Sequence, residues 1–213
     1  MNLVASWRYK LGGDSCCDFF TRILESVKPD LPPRAEVLEV GCAELDWLTI
    51  AATSWPQLRF TGIDWRGHKR PPEGAAIIRG DVMRHEFPDE RFDWIVSISA
   101  LEHVGLGHYA KDPLAVDGDS IALRNIYRWL KPGGLLIFDV PWNAGESAYE
   151  VVGSSHRVYD DATVESRLAQ GLPWERIWTG AADAKQSSVL LTNTPRLAGG
   201  QRFYYRGFAW AKP

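Results

Sequence analysis

The stretch AEVLEVGCAE, residues 35–44, decides the fold. Val37, Leu38 and Val40 form a short apolar run interrupted only by glutamates, and Gly41 follows it directly. A run of that length bounded by glycine reads as a buried strand. A glycine just after a strand lets a ligand approach the backbone closely, at the N-terminus of the next helix. Residues 44–54 supply that helix. The same alternation continues outward. LRFTGID (58–64), AAIIRGD (75–81), FDWIVSIS (92–99) and LLIFDVP (135–141) read as strands. Residues 119–131 read as a helix with Ala122, Ile126, Trp129 and Leu130 on one face, stopped by Pro132-Gly133-Gly134. Strands alternating with helices predict an α/β fold, a mostly parallel sheet with helices on both faces.

The two ends carry weaker patterns. Residues 14–28 place Cys17, Phe20, Ile23, Leu24 and Val27 at helical spacing, ended by Pro29. After 141, residues 160–170 predict a helix capped by Asp160 or Asp161. ERIWT (175–179) and RFYYRGFAW (202–210) predict strands. The stretch 180–201 between them is long for a connection and predicts a flap or binding loop.

Composition narrows the class. The chain has 213 residues, 45% hydrophobic and 24% charged, which fits one globular domain and leaves little room for two. Its formal net charge is −3, against a general nucleic-acid binder. No apolar run approaches the ~20 residues that span a bilayer, and Met1 to Lys10 lack the pattern of a signal peptide. Three cysteines, Cys16, Cys17 and Cys42, make no disulfide framework and no CxxC pair. The expectation is a cytoplasmic protein without a metal site. Ten tryptophans outnumber every other aromatic type.

In an open parallel sheet, ligands bind beyond the carboxyl ends of the strands, where the strand order reverses. Four strand ends here carry suitable residues. Glu39-Val40-Gly41-Cys42-Ala43 forms the first turn. Asp64 lies 23 residues after Gly41, close to the spacing of a ribose-hydroxyl acceptor. Asp81 can accept from an exocyclic amine while Val82 packs on a purine. Ser99-Ala100-Leu101-Glu102-His103 ends the fourth strand.

In that order, VLEVGCAE (37–44), FTGIDW (60–65), IIRGDVM (77–83), FDWIVSISALEHV (92–104) and WLKPGGLLIFDVP (129–141) resemble the class I S-adenosylmethionine-dependent methyltransferases. The resemblance covers about half of the chain, residues 35–141. It implies a Rossmann-like, seven-stranded, mostly parallel sheet with helices on both faces and an antiparallel C-terminal strand. It also implies a single domain over 1–213. Residues 35–141 would form the cofactor-binding core, 1–34 an N-terminal helix, and 142–213 the acceptor side. The implied cofactor is S-adenosyl-L-methionine. Glu39 and Gly41, with Cys42 and Ala43 in the same turn, would line its methionine and ribose part. Asp64 would bind the ribose diol and Trp65 would flank the adenine. Asp81 and Val82 would meet the adenine, and Ser99 would lie near the transferred methyl. The family often shows GxGxG, whereas Ala43 and Leu45 stand at the second and third glycine positions here. The dinucleotide pattern GxGxxG fits worse, with Gly41, Ala43 and Asp46.

Methyl transfer from a sulfonium needs alignment and exclusion of water. A base is required when the acceptor is a hydroxyl. His103 and His108, both after the fourth strand, are the expected candidates. Tyr109, Asp117, Asp119, Trp142, His156 and Arg157 are expected on the acceptor side, with Arg157 suited to a phosphate or carboxylate. The Asn/Asp-Pro-Pro-aromatic motif of amino-methylating nucleic-acid enzymes is missing; the position reads Ser97-Ile98-Ser99-Ala100. The expected acceptor is therefore a hydroxyl of a small molecule or sugar. Two other readings stay open: a non-catalytic cofactor-binding scaffold, favoured by Leu45, and a protein or RNA methyltransferase.

Overall fold

A computed structural model describes residues 31–43, 46–67, 70–109, 112–142, 150–181 and 204–213. The expected helix 14–28, Leu45 and most of the 180–201 stretch lie outside these residues.

The first half alternates as the sequence predicts. Strand β1 is Glu36–Val40, helix α1 Asp46–Ser54, β2 Arg59–Asp64, β3 Ala75–Arg79 and β4 Phe92–Ser97. A single 3-10 turn, Leu101–His103, follows β4. Helix α2 is Gly118–Trp129 and β5 is Leu130–Trp142. The expected fifth strand begins at 135. The observed one starts at Leu130, because pairing with β4 already begins at Phe92 and resumes at Trp94 after a local shift in register. Beyond it lie the short strands β6 (Glu150–Val152) and β7 (His156–Val158), which pair as an antiparallel hairpin that sequence periodicity did not reveal. Three-residue strands are too short to show alternation. Helix α3 begins as an α turn at Asp161–Thr163 and continues in wider π turns over Val164–Ala169. Asp160 caps it: its carboxylate accepts from the Thr163 N–H at 2.8 Å, and the Thr163 hydroxyl receives the Asp160 N–H at 2.9 Å. Strands β8 (Glu175–Ala181) and β9 (Tyr204–Ala211) complete the chain.

Seven strands form one sheet in the order β3-β2-β1-β4-β5-β9-β8. Strands β1 to β5 run parallel. The C-terminal strand β9 is antiparallel to both of its neighbours, β5 and β8. This is the Rossmann-like sheet that the resemblance implies.

Alternate residues of the central strands separate two cores. On one face Val37, Trp94, Val96, Ile137 and Ala209 pack with Trp47, Leu48 and Ala51 of α1. On the other, Leu38, Ile95, Leu136, Phe138 and Trp210 pack with Ala122, Leu123, Ile126 and Trp129 of α2. The period-2 pattern of the strands and the 3.6-residue spacing of the helices meet here, so both faces are covered. Helix α1 stops before Pro56, whose ring disfavours helix at the residue preceding it. No described helix is long and apolar enough to cross a membrane.

Candidate active site

Strand order reverses between β1 and β4, and the turns leaving these two strands touch. Gly41 has φ +85°, and a Cβ built there would collide with the Cβ of Ala100. Only glycine combines that backbone with that approach. The Gly41 N–H donates to the Ile63 carbonyl at 2.9 Å, tying the turn to the end of β2. An open cleft lies at this point, along the carboxyl ends of the strands. Gly41, Asp64, Trp65, Asp81, Val82, Ser99, His103 and Tyr109 line it, together with Arg66, Met83 and Asp112.

One wall carries two carboxylates. Asp64 ends β2 and is nearly buried; its Oδ1 accepts from the Arg66 N–H at 2.8 Å and from Arg66 Nε at 3.3 Å. Asp81 follows β3; its Oδ1 accepts from the Met83 N–H at 2.9 Å, which folds Asp81 to Met83 into a tight turn. Asn125 of α2 holds that turn by donating to the Val82 and Met83 carbonyls at 2.9 and 3.1 Å. The guanidinium of Arg66 lies 4.3 Å from the ring centroid of Tyr109, bridging this wall to the opposite one.

The floor is Ser99-Ala100. Ser99 has φ +45°, a left-handed conformation that costs about 1–3 kcal/mol outside glycine and asparagine unless the surroundings impose it. Asp139 of β5 imposes it: one oxygen accepts from the Ser99 N–H at 2.6 Å and the other from the Ser99 hydroxyl at 3.1 Å. Asp139 is fully buried, and that burial pushes its carboxyl up to about 6. Glu102 in the 3-10 turn is fully buried as well. Burial first, and the charge of Asp139 second, push its carboxyl well above the usual range.

The opposite wall carries His103 and Tyr109, and two further rings, His108 and His156, pack against them without lining the cleft. His103 and His108 stack with centroids 5.5 Å apart, and His156 of β7 meets His103 edge-on at 4.5 Å. Tyr109 stands edge-on to His103 and His108. His103 Nδ1 bonds the Ser155 carbonyl, and its Nε2 lies 3.7 Å from Glu102 Oε1. Burial, then the neighbouring His156, push His103 down to about 4, so it is a neutral imidazole at physiological pH. Ser155 Oγ donates to the Val152 carbonyl at 3.1 Å and is 2.6 Å from His156 Nδ1. His156 is lowered too, by burial and then His108.

Several expected residues stand elsewhere. Arg157 does not reach the cleft. It is fully buried, donating to the carbonyls of Val104 (2.5 Å), Ala115 (3.2 Å) and Val116 (3.3 Å), and it pins the 104–116 loop from beneath. Asp119 is likewise buried. It accepts from Arg167 at 2.6 and 3.0 Å and from the Tyr159 hydroxyl at 2.9 Å, and it faces Arg157 Nε at 3.6 Å. The sequence expectation that these two meet substrate is corrected: each is consumed by an internal ion-pair network. Asp117 is exposed at the N-cap of α2, without a side-chain capping bond. Cys42 turns its side chain into the α1 core, where a Cβ on Gly62 would meet its Sγ; burial pushes its thiol up. Ala43 and Glu39 are buried beside the turn. Trp142 lies beneath the Arg206 guanidinium at 4.7 Å. Sequence reasoning did not single out Asp139, Arg66 or Asp112, and named Glu102 only as part of the segment that follows the fourth strand. The signal for Asp139 was legible: it is the one charged residue within an otherwise apolar strand, LLIFDVP. Among the described residues no group of three or more His, Cys, Asp or Glu side chains is disposed to hold a metal ion.

Comparison with known proteins agrees with this geometry. A family model described as a methyltransferase domain matches residues 7–180. Demethylmenaquinone methyltransferase of Listeria welshimeri is 32% identical over 111 residues, covering 47% of this chain and 42% of its own length. Trans-aconitate 2-methyltransferase of Streptomyces avermitilis is 29% identical over 188 residues, covering 79% of this chain and 62% of its own. The chain thus spans about half the length of the first of these relatives. Among solved structures, Burkholderia thailandensis 1,6-didemethyltoxoflavin-N1-methyltransferase, bound to 1,6-didemethyltoxoflavin and S-adenosylhomocysteine, superposes with a TM-score of 0.62 at 15% identity. It covers 98% of this chain and 84% of its own. The chain therefore belongs to the methyltransferase domain family.

Proposed function

We propose that this chain transfers a methyl group from S-adenosylmethionine to a hydroxyl of a small molecule. The observation that carries the reading is that Asp64 and Asp81 line one cleft beside the Gly41 turn, at the point of strand reversal. The donor set fits the group. Asp64 offers acceptors for a ribose diol. Asp81, with Val82 and Met83 beside it, offers an acceptor and an apolar surface for adenine. The close backbone at Gly41 admits the methionine portion without a side chain in the way.

When bound, the cofactor supplies an activated methyl on a sulfonium. The protein's residues then have three tasks. Ser99 and Ala100 bound the reacting centre from below. Tyr109 and Arg66 close the mouth and reduce access of water. An imidazole of the opposite wall accepts the hydroxyl proton. His103 lines the cleft but has one nitrogen on Ser155 and the other facing Glu102; His108 stacks on it, exposed and outside the cleft lining, so it would reach an acceptor only from the rim. That the curated relatives are named for a menaquinone precursor and for trans-aconitate supports a small-molecule acceptor.

The test uses labelled S-adenosylmethionine and a panel of hydroxylated aromatics, sugars and hydroxy acids. Transfer to one of these, with His108→Ala lowering kcat about 10²–10⁴-fold, is the expected outcome. Unchanged turnover in both His108→Ala and His103→Ala would remove the base from the mechanism. Donor binding without transfer to any acceptor would replace the reading by a cofactor-binding protein without turnover.

A further inference from the structure

Two buried carboxyl groups stand behind the cleft floor, and alignment of the acceptor uses neither. Asp139, at the level of Ser99, sends both oxygens to that residue, at 2.6 and 3.1 Å. Glu102 follows Ala100 in the same segment; it is fully buried, and neither of its oxygens has a hydrogen-bond partner. The two acids flank Ser99-Ala100 from behind, while Ser99-Ala100 faces the cleft. An N–H and a hydroxyl solvate the charge on Asp139, whereas no hydrogen bond solvates one on Glu102. Two like charges in so apolar a place do not both ionise. Asp139 therefore holds the negative charge and Glu102 the proton.

We propose that Asp139 is the counter-charge for the methyl donor, distinguishing the sulfonium of S-adenosylmethionine from the neutral thioether of S-adenosylhomocysteine. The inference rests on the donor reading above. In the transfer, the sulfur–methyl bond breaks with both electrons remaining on sulfur. The acceptor oxygen forms the new bond, and its proton leaves to the base. Donor and product thus differ by one methyl and one positive charge. A carboxylate one residue behind the floor, shielded from water, attracts the first and not the second. It favours capture of donor and release of product. It does not speed the chemical step, because the positive charge is largest before transfer.

The surroundings leave Asp139 free to play this part. Its opposite number on β9 is the uncharged Gly207. Across the 3-10 turn stand Glu102 and His103; behind Glu102 lie Arg157 of β7 with Asp119 of α2, and Tyr159. Across the cleft stand Asp64, Asp81 and Asp112. Burial raises Asp139 to about 6, within reach of an ordinary titration.

The experiment is calorimetric binding of S-adenosylmethionine and S-adenosylhomocysteine to the whole protein from about pH 5 to about pH 8. The ratio Kd(S-adenosylhomocysteine)/Kd(S-adenosylmethionine) isolates the sulfonium. It is expected to rise about tenfold with pH, the equivalent of one unit of displacement in the acid's titration. Asp139→Asn flattens the ratio. Ser99→Gly suits the left-handed backbone and removes one donor to the carboxylate, so it moves the rise to higher pH. Asp112→Asn leaves the rise in place. A pH-independent ratio in the native protein overturns the proposal, as does a rise abolished by Asp112→Asn and kept by Asp139→Asn. If Asp139→Asn does not fold, an unmoved rise in Ser99→Gly overturns it. Absence of binding by either ligand at every pH would instead sink the donor reading itself.

Discussion

At the scale of single residues, the site depends on a few positions where geometry admits one side chain. Gly41→Ala places a methyl against Ala100 on a backbone at φ +85°. A loss of about 1–3 kcal/mol in urea unfolding is expected, with loss of S-adenosylhomocysteine binding. Asp64→Ala removes the carboxylate that ends β2. The lost charged hydrogen bonds, about 1.5–3 kcal/mol, correspond to roughly 10–100-fold weaker donor binding by calorimetry. His103 gives a pH dependence whose sign is fixed by burial. Its folded value is about 4 against 6.5 in the open chain, so the unfolded state binds more protons in between. Its contribution to stability is complete above about pH 6.5 and is lost as pH falls toward 4. Asp139, raised to about 6 from 3.8, acts with the opposite sign, losing stability as pH rises across that window. Urea midpoints across that range for the native protein and His103→Phe separate the two, since the variant loses the rise due to His103 and keeps the decline, as pH rises, due to the buried acids.

At the scale of elements, the 104–117 segment is the instructive case. It carries Tyr109 and Asp112 into the cleft, and it is held by Arg157 from below and by an isolated bridge between Leu106 and Leu114. Removing one partner of a buried ion pair leaves the other uncompensated. Arg157→Ala should therefore cost about 3–5 kcal/mol in chemical unfolding. Arg157→Lys should recover little, because an ammonium cannot reach several carbonyls as a planar guanidinium does. The sequence showed Arg157 as a cation near the acceptor side, and its chemistry was equally suited to a ligand anion. Nothing local distinguishes a guanidinium facing solvent from one folded under a loop about 40–50 positions earlier. Strands and helices were legible because their burial has a period. The β6–β7 hairpin and the loop have none, and they are made by contacts between distant segments.

At the scale of the whole molecule, five of the described tryptophans, Trp47, Trp94, Trp129, Trp174 and Trp210, are buried in the packing. Trp94 and Trp129 are fully buried on opposite faces of the sheet, and Trp210 joins Trp129's face. Trp129→Ala should lower stability by about 3–5 kcal/mol without changing the order of the strands, checked by unfolding and circular dichroism. Trp65 alone of the two singled out for function lines the cleft, since Trp142 is covered by Arg206. The alternation of apolar runs with glycine, aspartate and helical spacing was enough to determine the α/β class, the parallel half of the sheet and the strand ends that bear Gly41, Asp64 and Asp81. Those features depend on neighbours within a few residues or on a repeating period. Which of the other charged groups face the cleft and which turn inward was decided by tertiary structure alone. Arg157, Asp119, Glu102 and Asp139 gain their states from burial against segments up to 55 residues away, and desolvation is a property of the packed interior rather than of the chain.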